Sequence, residues 1–111
     1  MVDHEVIGNV VIIRVASNFD INQSLEVDAV VVELIRKGFD RFVFDLGNIH
    51  YLSSSGIRSF VETLRQTLKI KGRMTLANPS DPAVKILTLF DLSGHFHIVE
   101  NVDTAVKELN D

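Results

Sequence analysis

Cysteine is absent from this 111-residue chain, which excludes disulfide staples and thiolate metal sites and agrees with a reducing compartment. Proline is scarce. Its two copies, Pro79 and Pro82, fall together in "ANPSDPA", so they mark one loop and no Pro-rich linker divides the chain. Long apolar runs are also missing. The longest are four residues, "VVII" at Val10–Ile13 and "AVVV" at Ala29–Val32, and neither can cross a bilayer. The opening "MVDHEVIGNV" has no basic start followed by an apolar core, so no signal peptide is expected. Positive charge is not in excess: 11 Lys and Arg stand against 15 Asp and Glu, for a net charge of -4. That argues against binding a phosphate backbone as the main task. The six glycines fit neither G-x-G-x-x-G nor G-x-x-x-x-G-K-[ST], so no nucleotide cofactor is expected. These absences leave a small cytoplasmic domain spanning 1–111, with no nucleic-acid partner and no direct membrane insertion.

What is present suffices for one core. Hydrophobic residues make up 46% of the chain, and a chain of this size buries roughly two-thirds of its unfolded surface. "HEVI" and "NVVIIRV" read as strands around Gly8-Asn9, a dipeptide suited to a tight hairpin. "NFDINQSLEVDAVVVELIRKGF" reads as a helix capped by Asn22 or Asp20 and closed at Gly38, with Arg36 and Lys37 near its negative end. Val30, Val31 and Val32 favour strand by propensity, but the span is too long for a strand and has no turn. "RFVFDL" is a short apolar strand. After it, Ile57, Phe60, Val61, Leu64 and Leu68 recur at helical spacing up to Gly72. "RMTLAN", "PAVKILTLF", "FHIVE" and "VDTAVKEL" then read as strand, helix, strand and helix. This alternation predicts an α/β fold: a mostly parallel sheet with an antiparallel N-terminal hairpin at its edge, covered by about four helices.

One stretch stands apart. "YLSSSGIRSF", Tyr51–Phe60, puts three serines and a glycine at a strand-to-helix junction, where sites in such folds usually form. A serine there is expected to cap the helix. A neighbouring serine can also accept a phosphate, which adds about -1.5 to -2 charge units next to free N–H groups and the positive helix end. A nucleophilic role would need a base and an oxyanion hole, and the G-x-S-x-G elbow is missing. His95 and His97 form an H-x-H pair that alternation within a strand explains without a metal. Lys85 reads as a solvated charge, and no catalytic residue is assigned.

"FDLGNIHYLSSSGIRSF", together with "NPSDPAVKILTLFDLSGHFHIVENVDTAV", resembles the STAS domain family, specifically its bacterial anti-sigma factor antagonists. The resemblance runs from about Val10 to Val106. It implies a binding module and not an enzyme, one that binds an anti-sigma factor that is also a serine kinase and so releases a sigma factor. It further implies that the kinase phosphorylates Ser54, with Ser53 and Ser55 as alternatives, and that a serine phosphatase reverses this. By the same resemblance Asp20, Ser53, Ser55, Gly56, Ile57 and Arg58 contact the partner. A non-phosphorylated STAS subunit of a membrane transporter or other signalling assembly is the alternative role. Two positions depart from the family pattern. Ser53 replaces an acidic residue, which eases like-charge repulsion with a phosphate on Ser54. Asn18 replaces a frequent glycine before the turn at Asp20.

Overall fold

The computed structural model describes residues 2–110. Strands β1 (Asp3–Ile7) and β2 (Val10–Arg14) form the expected antiparallel hairpin, pairing Ile7 with Val10. The two-residue turn uses Gly8, whose φ of 63° lies in the left-handed region that favours glycine. The chain continues through β3 (Asn18–Phe19), α1 (Ile21–Arg36), β4 (Arg41–Asp45), β5 (Tyr51–Leu52), α2 (Ser54–Lys69) and β6 (Arg73–Ala77). It ends with α3 (Asp81–Leu89), β7 (His97–Val99) and α4 (Val102–Leu109). The main sheet has the order β1-β2-β4-β6-β7 and is parallel except for the hairpin. The α/β architecture and its antiparallel edge are those expected from the sequence.

Side chains alternate between the two faces of a strand, and here each face has its own core. Val11 and Ile13 of β2, Phe42 and Phe44 of β4 and Leu76 of β6 pack under α1, α2 and α3. Val10, Ile12, Val43 and Ala77 face the other way, onto Ala105 and Leu109 of α4. Burial on both faces explains why β2 and β4 read as unbroken apolar runs. Propensity loses to packing in α1: Val31 is buried and Val30 packs half-buried against the same core, while Val32 is exposed, as expected of a helix with one face inward.

Phe60 sits at the middle of the larger core, fully buried. Its ring meets Phe19 and Phe44 edge-on, each at 5.3 Å between centroids, and Phe96 at 6.4 Å. These edge-to-face contacts are the favoured aromatic geometry. Through Phe60 the start of α2 is tied to the sheet and to β3.

The structure differs from the sequence reading at two places. His95 lies in the turn after α3, its N–H donating to the Leu92 carbonyl, and only His97 belongs to β7. His97 Nε2 pairs with Glu108 at 2.7 Å. The strands β3 and β5 went unread, because two residues carry no periodicity. Phe60→Ala is expected to cost about 3–5 kcal/mol through the cavity it leaves, read as a lower urea midpoint at unchanged slope; a loss below about 1 kcal/mol would contradict its central place.

Candidate functional site

β3 and β5 pair in parallel, Asn18 with Tyr51 and Phe19 with Leu52. The next residue of each strand is a helix N-cap: Asp20 for α1 and Ser53 for α2. Two helix N-termini therefore lie side by side, held in register by a four-residue sheet. Asn18 fits this arrangement. It sits in extended β3, where the left-handed freedom of a glycine has no use.

Asp20 accepts the Gln23 N–H at 3.1 Å, the bond expected of an N-cap. Gln23, three residues on, is buried. Its side chain receives the Ala16 N–H and donates to the Asn18 carbonyl, bracing the turn into α1. The pattern Asp-x-x-Gln is a capping-box signature. The sequence reading left Asp20 and Asn22 open, and this spacing is the signal that could have separated them.

Of the three serines, Ser53 is the cap. Its Oγ accepts the Gly56 N–H at 3.1 Å and donates to the Phe19 carbonyl at 2.8 Å. Its own N–H also reaches the Phe19 carbonyl, at 3.1 Å. Ser53 thus joins α2 to β3 with a hydroxyl whose donor and one acceptor site are both used. Ser54, the first residue of α2, is exposed, and its hydroxyl has no protein partner among the described residues. Ser55 is half-buried. Gly56 is buried inward: a Cβ there would come within 2.7 Å of Leu52 Cδ1 and 3.1 Å of the Phe19 ring. That space lets α2 approach the small sheet closely.

Ile57 is half-buried and Arg58 exposed. Arg58 Nη2 donates to Asp28 Oδ2 of α1 at 2.6 Å. That hydrogen bond, followed by the Asp28 charge, raises the Arg58 pKa. Ser59, fully buried, donates to Asp28 Oδ1 at 2.9 Å and to the Ser24 carbonyl at 3.2 Å. One turn further, Glu62 is held down to about 2, first by the hydrogen bond from Arg65 and also by Gln66 and the nearby arginine charges. The Arg58–Asp28 bridge was missed in the sequence, since nothing there places one helix against the other. On α1, Ile21 and Leu25 are each 58% exposed, and Tyr51 of β5 is 57% exposed. The serine junction is thus bordered by an apolar surface open to solvent.

These roles separate two neighbouring serines by experiment. Ser53→Ala is expected to cost about 1–2 kcal/mol, the loss of an N-cap, whereas Ser54→Ala stays within about 0.5 kcal/mol as an exposed substitution. Urea titration of both variants reads the difference, and the reverse order would show that Ser53 is not the cap.

The fold recurs in known proteins. No curated protein sequence matches the chain, but solved structures do. TM1081 of Thermotoga maritima, a candidate anti-sigma factor antagonist, superposes with a TM-score of 0.89 at 20% identity, covering 99% of this chain and 95% of that one. The Bacillus cell fate determinant SpoIIAA, in its phosphorylated form, gives 0.79 at 21% identity, covering 97% and 98%. A sulfate transporter family protein of Wolinella succinogenes gives 0.80 at 16% identity, covering 95% and 88%. At such identities the likeness is one of fold. The family itself follows from the sequence: the model of the STAS domain matches residues 1–105, and the chain belongs to the STAS domain family.

Proposed function

We propose that this STAS domain is an anti-sigma factor antagonist switched by phosphorylation of Ser54. The observation that carries the reading is the division of labour at the start of α2. Ser53 is consumed by the fold, while Ser54, one residue on, offers an exposed and unengaged hydroxyl. In the unmodified state the partner is an anti-sigma factor that is also a serine kinase. Its binding to this chain releases a sigma factor. The contact surface is built around Ser54, with Ile57 and Arg58 on α2, Asp20 and Ser55 beside them, and the exposed Ile21, Leu25 and Tyr51 as apolar anchors. Ser53 and Gly56 support that surface from beneath.

The chemistry suits a reversible switch. A phosphoserine at the first position of a helix meets free N–H groups and the positive end of the helix dipole. The modification therefore leaves the helix start intact. It also places about -1.5 to -2 charge units at the centre of the contact surface, where they oppose any acidic or apolar partner group. Hydrolysis by a serine phosphatase restores binding. The domain acts in this scheme as a binding module, and the chemistry belongs to the kinase and phosphatase. Among the described residues no helix is long and apolar enough to cross a membrane.

The likeness to the Wolinella sulfate transporter family protein favours a second reading, a STAS subunit of a transporter assembly that uses the same surface constitutively. Co-purification with transporter components, with Ser54 never phosphorylated, would favour that reading over the first.

Binding to an anti-sigma factor of the serine-kinase type, measured by titration calorimetry, tests the switch. Ser54→Ala should bind as the parent does. Ser54→Asp should bind roughly 100-fold more weakly or worse, because a misplaced charge in an interface costs several kcal/mol. Equal binding by both variants would rule the switch out.

A further inference from the structure

Arg58 follows Ser54 by four residues on α2, and residues at that spacing stand on one face, about 5–6 Å apart at Cβ. In the unmodified protein its guanidinium is turned sideways, onto Asp28 of α1. Both ends of that bridge can let go. The Arg58 side chain is 52% exposed and that of Asp28 27%. Asp28 keeps a second donor, Ser59 Oγ, whatever Arg58 does. Glu62, the next acidic group along α2, is already occupied by Arg65, whose Nε donates to it at 2.8 Å. Arg58 therefore has one hydrogen-bonded carboxylate, Asp28, and a second, Glu62, that acts on it through charge alone; a charge one turn before it competes chiefly with Asp28.

Resting on the reading of Ser54 as a phosphoacceptor, we infer that Arg58 is a movable counter-ion: a phosphate on Ser54 draws it off Asp28 and leaves that carboxylate uncompensated on α1. The phosphate is the stronger claimant. It carries about twice the charge of a carboxylate and three acceptor oxygens, and the arginine fork matches it in two-point geometry. An anion placed four residues N-terminal to a cation is also the favourable order on a helix.

The consequence reaches beyond Ser54. Ile21, Leu25, Asp28 and Val32 are spaced by four, three and four residues, one face of α1. Ile21 and Leu25 are 58% exposed and Val32 is 50% exposed. With Arg58 in place, the one acidic group of this stripe is neutralised. With Arg58 withdrawn, a bare carboxylate interrupts it. Phosphorylation of α2 is thereby also felt on α1, and a partner that covers both helices meets the added negative charge at two places instead of one.

The test installs phosphoserine at position 54 by genetic code expansion and titrates its second ionisation by ³¹P NMR in the otherwise native chain and in two variants. Arg58→Gln should raise that pKa by about half a unit, because the dianion loses its counter-ion. Asp28→Asn should lower it, because the competitor for Arg58 is gone. The Arg58 Nε–H resonance should shift between unmodified and phosphorylated chains. The same pKa in the phosphorylated chain with and without Arg58→Gln would overturn the inference, as would an unchanged Arg58 resonance. Since no kinase is needed to make the sample, a kinase that ignores Ser54 counts against the proposed function alone.

Discussion

The parallel pairing of β3 with β5 governs the end of the molecule where α1 and α2 begin. Only four residues take part, yet each strand runs directly into a helix N-cap. Because the strands are parallel and in register, the two helices begin at the same level, side by side. Asp20 and Ser53 then finish the job locally, each accepting an N–H from the first turn of its helix. Ser53 adds the tie between the halves, its hydroxyl and its N–H both donating to the Phe19 carbonyl. Phe19 in turn stacks edge-on against Phe60, so the small sheet is anchored in the main core. Gly56 is the steric condition for this packing, since any Cβ there would press on Leu52 and Phe19.

A one-residue offset then separates structural from available chemistry. Ser53 lies where its hydroxyl is used up by the fold. Ser54 lies where the helix has started, its backbone is fixed, and its hydroxyl faces solvent. The neutral Ser53 caps the helix without adding negative charge beside Ser54. The neighbouring helix contributes its own cap, Asp20, and one turn along α2 Arg58 is paired with Asp28 of α1. Under the proposed switch, a phosphate on Ser54 would act on electrostatics shared between α1 and α2.

Much of this was legible in the sequence, and what was not has identifiable causes. The hairpin, the helices and the mostly parallel sheet follow from Gly8-Asn9, the helical spacing after Ser55 and the short apolar strands. The valine run in α1 was correctly assigned to a helix on length, against its own propensity. β3 and β5 escaped because two-residue strands are defined by their partner and not by a pattern. The identity of the capping serine escaped because Ser53, Ser54 and Ser55 share one chemistry, and only the register of the helix start distinguishes them. The Arg58–Asp28 bridge links residues 30 apart in the chain, and pairing of that kind becomes visible only once α1 and α2 are packed. Histidine alternation misled at His95, which the turn after α3 removes from the strand.

The central claim is that Ser53 belongs to the fold and Ser54 to the switch. Incubation of the native chain with an anti-sigma factor kinase and ATP, followed by intact-mass analysis and site mapping, tests it most directly. The account predicts a single added phosphate, located on Ser54. Phosphate on Ser53, or none at all with a kinase shown to bind the chain, would contradict it.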